Sequence, residues 1–142
     1  MPIELTIDHH ARHIRLRPTG PVALADVLAA QDQQAASDAW AYSSIADYTT
    51  FGWNPTSSDI RAALAHIERI SRTAGKRGPV AMVARSNTAL FGMFRMYALL
   101  YDDRFARIEA FTTIDEARVW LTSLAPTDSP ADGQNQTDNP RA

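Results

Sequence analysis

The sequence predicts an α/β domain: a mixed five-stranded sheet with an N-terminal hairpin and four helices, in the order β-β-α-β-α-β-α-β-α. Three observations predict it. Two short stretches near the N-terminus alternate apolar with polar residues. Ile60, Leu64, Ile67 and Ile70 form a helical stripe, and Val80–Ala84 is an uninterrupted apolar run. Alternating strand and helix units argue for parallel strands joined by right-handed crossovers. The chain has 142 residues, 45% of them hydrophobic, which suits one globular domain.

Ile3, Leu5 and Ile7 alternate with Glu4, Thr6 and Asp8, as in a half-buried strand. Ile14 and Leu16 repeat the pattern between His13, Arg15 and Arg17, so Asp8–Arg12 is the turn of a hairpin. Pro18, Gly20 and Pro21 break that strand, with Pro21 near the first turn of a helix. Leu24, Val27 and Leu28 mark the apolar face of this helix, and Gln31–Gln34 its expected exposed end. A third strand is expected over Tyr42–Tyr48, followed by a loop from Phe51 to Thr56. Thr56-x-x-Asp59 is a capping box for the second helix, with Ser57 or Ser58 as alternative caps. Gly75 ends that helix and Lys76–Pro79 makes the turn. Val80–Ala84 reads as a central parallel strand, apolar because both faces are covered. Ser86 or Asn87 is expected to cap a third helix that reaches Tyr101 and closes at Asp102-Asp103. Ala106–Phe111 is the last strand. Thr113-x-x-Glu116 is a second capping box, opening a helix lined by Ala117, Trp120, Leu121 and Leu124.

Residues 1–124 therefore form the expected domain. From 125 to 142 there is no Val, Ile, Leu, Met or aromatic residue, so this segment is expected to be a disordered polar tail. The chain holds 14 basic and 16 acidic residues; one base and three acids lie in the tail, leaving 13 of each in the domain. A net charge of −2 excludes a strongly basic nucleic-acid binder, and no nucleic-acid partner is expected. The absence of Cys excludes disulfides, thiolate zinc sites and a Cys nucleophile. No apolar run approaches the ~20 residues of a membrane helix. Met1–Asp8 lacks the basic-then-apolar order of a secretory signal, so the expected location is cytoplasmic.

Further landmarks are Arg17-Pro18-Thr19-Gly20, Asp47 closing the third strand, and Ser57-Ser58-Asp59-Ile60-Arg61 opening the second helix. Others are the stretches Gly78–Ala84, Gly92–Tyr97 and Phe111–Leu121. With the element order, they resemble the STAS superfamily, the sulphate transporter and anti-sigma factor antagonist domains, in its SpoIIAA-like stand-alone branch. The resemblance covers residues 3–124. It implies a STAS-like sheet and a non-enzymatic interaction module, and some relatives are discussed as binders of apolar or lipid-like ligands. Anti-sigma factor antagonists carry a phosphorylatable Ser in an Asp-Ser-Ser-Gly context. Here Thr56-Ser57-Ser58-Asp59 puts the acid after the serines and has no Gly, so the motif does not carry that switch over.

Two sets of residues are candidates for function. The first lies at the carboxyl ends of the parallel strands, where ligands of open α/β sheets bind. Asp47, Thr49, Thr50, Trp53 and Asn54 fall in one loop there, and Arg85, Ser86 and Asn87 in the next. With Ser57 and Ser58 at a helix start, Arg85 is a candidate holder of a phosphate or carboxylate. The plain alternative is that Ser57, Ser58, Ser86 and Asn87 are helix caps. The second set is the third helix, where Phe91, Met93, Phe94, Met96 and Tyr97 leave almost no polar face. Such a helix must be covered on more than one side, by the fold itself, a partner chain or an apolar ligand. Arg95 then needs an acceptor, Asp47 or Asp102.

His9, His10 and His13 fit no zinc spacing, and no metal or cofactor is expected. Neither a Gly-x-Ser-x-Gly elbow nor a phosphate loop is present, so no catalytic residue is assigned. Ser57 and His66, nine residues apart on one helix, stand about 13 Å apart along its axis, beyond hydrogen-bond reach. The first functional expectation is a non-enzymatic module that acts through protein association, as a homodimer. The alternative is a carrier of a small apolar or lipid-like anion, held by the third helix and the helix starts. A small hydrolase or transferase is the second alternative.

Overall fold

A computed structural model describes residues 2–100 and 104–124. The expected tail, Tyr101 and Asp102 lie outside the described residues. The strands are β1 (Ile3–Asp8), β2 (His13–Pro18), β3 (Ser43–Asp47), β4 (Val80–Val83) and β5 (Ile108–Phe111). The helices are α1 (Leu24–Ala36), α2 (Ser57–Ala74), α3 (Ala89–Leu100) and α4 (Ile114–Leu124). The chain is α/β, with the element order expected. One five-stranded sheet runs in the order β1-β2-β3-β4-β5. β1 and β2 are antiparallel, pairing Leu5 with Leu16; the remaining pairs are parallel, with Ile45 beside Ala81 and Ala81 beside Glu109.

Each parallel strand lies next to the one before it, so successive right-handed crossovers place α1, α2 and α3 on the same face. There Ile14, Leu16 and Ala46 pack with Ala30, Ile60, Ala63, Leu90 and Phe94. α4 covers β3, β4 and β5 on the opposite face, where Ala117 meets Ile45, Ala81 and Val83. α4 does not cover the β1–β2 part of that face, which carries Glu4, Arg15 and Arg17 at alternating positions.

The first capping box forms in full. At the second, Thr113 caps the helix, while the Glu116 carboxylate accepts from the hydroxyls of Thr112 and Thr113 and, among the described residues, not from a backbone N–H. The Thr56 hydroxyl accepts from the Asp59 N–H (3.0 Å), and Asp59 Oδ2 accepts from the Thr56 N–H (3.0 Å). Glu116 N–H donates to the Thr113 hydroxyl at 3.2 Å. Ser57 and Ser58 are therefore the first helical residues of α2 and not its cap. Gly78 permits a close crossing: a Cβ there would overlap the carbonyl oxygens of Ala41 and Tyr42.

Four local expectations are corrected. Pro21 precedes α1 without entering its first turn, because Val22 makes a parallel bridge to Trp53. Gln31 and Gln34 are buried at 5% and 0% exposure, although the end of α1 was expected to be solvated. Gln34 Nε2 donates to the carbonyls of Ala39 (3.1 Å) and Trp40 (3.3 Å), and its Oε1 accepts from Arg77 (2.6 Å). It satisfies backbone groups where the chain turns from α1 toward β3. Thr88, and not Ser86 or Asn87, caps α3: its hydroxyl accepts from the Phe91 N–H at 3.2 Å and donates to the Arg85 carbonyl at 2.7 Å. Asn87 instead takes a left-handed turn conformation, φ 62°. Arg95 is exposed, so its charge stays hydrated and needs no buried acceptor.

Candidate functional site

Two hollows share a wall. The first is an apolar cavity of about 80 Å³ between the sheet and α1, α2 and α3. Leu16, Ala30, Ala46, Ala63, Met82 and Phe94 contribute to its surface, and Gln31, Tyr48 and Arg77 add polar groups. The second is a cleft of about 300 Å³ beyond the carboxyl ends of β3 and β4, lined by Thr49, Thr50, Asn54, Arg85 and Thr88 among others. Tyr48 and Trp53 line both. Their rings stack with centroids 6.4 Å apart, and Tyr48 also leans on Phe94 at 5.5 Å.

Local chemistry fixes this wall. Asp47 ends β3, and its Oδ1 accepts from both the backbone N–H (3.0 Å) and the hydroxyl (2.5 Å) of Thr49. Its Oδ2 accepts from Arg15 at 3.1 Å. The turn after β3 is thereby held tight, while the bridge between Trp53 and Val22 anchors the far end of the loop. Burial alone would push the Asp47 carboxyl up. The Thr49 hydroxyl, the Thr49 N–H and the Arg15 guanidinium together outweigh it and hold the carboxyl below the usual range. Asp47 is thus an anchor of the cleft loop, and it is not among the residues that line the cleft.

Inside the cavity, burial pushes the Tyr48 phenol well above its ordinary value, and the charge of Arg77 opposes this only weakly. Tyr48 therefore stays protonated at any physiological pH. Gln31 Nε2 donates to the Ala63 carbonyl at 3.3 Å, while its buried Oε1 has no hydrogen-bond partner among the described residues. Arg77 is 5% exposed, bonded to Gln34 and placed over the Trp40 ring at 5.0 Å.

Of the anion-holding residues expected from sequence, Arg85 lines the cleft, while Ser57, Ser58, Ser86 and Asn87 are exposed and do not. Ser57 offers its carbonyl to the Tyr97 hydroxyl at 3.3 Å. Along α3, Leu90 and Phe94 are buried, Phe91, Met93 and Tyr97 half-buried, and Met96 and Leu99 exposed. Phe94 and Tyr97 line the cavity. Asp47 and Asp59 are engaged separately, one with Thr49 and the other with Thr56. His9 contacts the Tyr42 hydroxyl (2.8 Å), His13 the Ser43 hydroxyl (2.9 Å) and His66 the Asp32 carboxylate (2.7 Å).

Gln31, Tyr48, Arg77 and Thr88 were not singled out from sequence. For Gln31 a signal existed: it follows Leu24 by seven residues and Val27 by four, which places it on the buried stripe of α1. Arg77 has no such signal, since it stands in a polar turn. No helix among the described residues is long and apolar enough to cross a membrane. Comparison with protein-family models, curated proteins and solved structures found no match to this chain.

Proposed function

We propose that the protein is a STAS-like carrier of a small amphipathic molecule, whose apolar chain occupies the cavity and whose polar head lies in the cleft beside Arg85 and Thr88. One observation carries this reading: Tyr48 and Trp53 line both hollows, which sets an apolar and a polar compartment against the same two rings. The cavity is about half the ~150 Å³ that accommodates a benzene ring in an apolar core. It therefore suits a short alkyl chain and not a ring. The head group is an anion, since Arg85 is the charged residue lining the cleft. Titration of the protein with straight-chain carboxylates, followed by NMR shifts of Tyr48 and Trp53, tests the reading. Affinity should rise about fourfold per CH₂, the factor for ~0.8 kcal/mol, and level off once the cavity is full. Arg85→Gln should weaken every member of the series alike. An affinity independent of chain length overturns the proposal.

A second reading, association of two copies, is favoured by the exposure of Met96 (46%) and Leu99 (78%) on α3. Sedimentation velocity on the protein and on Leu99→Asp checks it. A dimer that becomes monomeric supports association, and a monomer in both removes it.

A further inference from the structure

The cavity contains a feature that an apolar chain alone does not explain. Gln31 is 5% exposed and lines it, and its Oε1 has no hydrogen-bond partner among the described residues. The other end of the same amide is used, because Nε2 donates to the Ala63 carbonyl. That bond fixes which end is oxygen: turning the amide over would set Oε1 against another carbonyl oxygen. A buried acceptor left without a donor is costly, and hydrocarbon cannot relieve it. A carboxylate cannot relieve it either, as it brings no donor and would be desolvated. Tyr48 lines the same cavity, and its neutral phenol is a group able to donate to a ligand oxygen.

We propose that the inner end of the ligand carries a hydroxyl, which donates to Gln31 Oε1. The ligand class is then a short aliphatic chain with an alcohol at its buried end, not a plain fatty acyl chain. This inference rests on the carrier reading and adds the chemistry of the buried end. A water molecule in the cavity is the competing occupant, and it predicts no selection among ligands.

The test compares 1-butanol with 1-fluorobutane, molecules of similar shape of which only the alcohol can donate. Both are titrated into the full chain and into Gln31→Met, with NMR shifts at Ala63 and Met82 as the readout. The ratio of alcohol to fluoroalkane affinity should fall about fivefold in the variant, the size of one buried hydrogen bond. Within the unaltered protein, the Gln31 side-chain amide signals should move with butanol and stay in place with fluorobutane, which keeps the test usable if Gln31→Met folds poorly. An unchanged ratio, or amide signals that respond equally to both, overturns the hydroxyl inference and leaves the carrier reading standing. If neither molecule shifts Ala63 or Met82, both fall.

Discussion

The two faces of the sheet solve the same packing problem differently. On one, α1, α2 and α3 converge above β2, β3 and β4, and the side chains between them leave a cavity of about 80 Å³. On the other, α4 alone lies on β3–β5, and Ala117 packs against Ile45, Ala81 and Val83 beside Phe111 and Trp120, with Ala81 and Ala117 both at 0% exposure. The difference follows from topology. Three crossovers in one direction put three helices on one side, and three cylinders on a twisted sheet do not fill space as one does. The crowded face is thus the one that keeps an internal cavity. The sparse face is closed where α4 covers it and polar where α4 does not.

Enlarging a residue in the closed contact should break this comparison most severely. Ala117→Leu adds three carbons where Ile45, Ala81 and Val83 already meet the helix. It should cost about 3 kcal/mol, at the upper end for overpacking, read as a lower midpoint in urea at unchanged slope. A loss below ~0.5 kcal/mol would mean that α4 rides on the sheet loosely.

Asp47 comes next. Its folded-state pKa is depressed, so its contribution is fully present above the unfolded value near 4 and is lost as pH falls through the folded one. Asp47→Asn should cost about 2 kcal/mol at pH 7, in the range for hydrogen bonds to a charged group. It should also flatten the decline in stability below about pH 4. Because Asp47 holds Thr49, the NMR signals of Thr49 and Trp53 should shift in the same variant while those of Ala117 stay in place.

The counterpart of the first substitution is smaller and of opposite sign. Ala63→Leu makes the same chemical change on the cavity face, where room exists. It should stabilise by about 1 kcal/mol, as cavity-filling changes do, and abolish binding of the carboxylate series. A strong destabilisation would show that the space is not available to side-chain atoms.

These contrasts mark how far the residues could be read in advance. Strand alternation at Ile3–Ile7 and Ile14–Leu16, the stripe from Ile60 to Ile70 and the caps at Thr56 and Thr113 are local patterns, and the fold follows them. The cavity is not local. It depends on how far apart α1 and α2 stand, which no spacing along either helix encodes. Gln31 illustrates the gap: its position on the apolar stripe was legible, while its polarity suggested solvent. Asp47 illustrates the reverse. Its place at the end of β3 suggested a ligand contact, yet two bonds to its neighbour Thr49 and one to Arg15 absorb it. Short-range hydrogen bonds of this kind compete with any site reading based on residue type.

The smallest effect concerns the polar part of the sparse face. His13 pairs with Asp8 across the hairpin and contacts the Ser43 hydroxyl. Burial lowers its pKa most, the charges of Arg15 and then Arg118 lower it further, and Asp8 opposes them. With the folded value below the unfolded one near 6.5, the fold prefers neutral histidine. That preference contributes fully above about pH 6.5 and is lost as pH falls through the folded value. His13→Gln keeps a group able to bond Ser43 and cannot titrate. Its melting temperature should therefore fall less between pH 7.5 and pH 5 than that of the unaltered protein, by a margin smaller than the Ala63 effect. Parallel curves for the two proteins would place the mildly acidic sensitivity elsewhere. Gln31, Gln34 and Ser44 on the helix-covered face do not titrate, and Tyr48 there is protonated throughout this range.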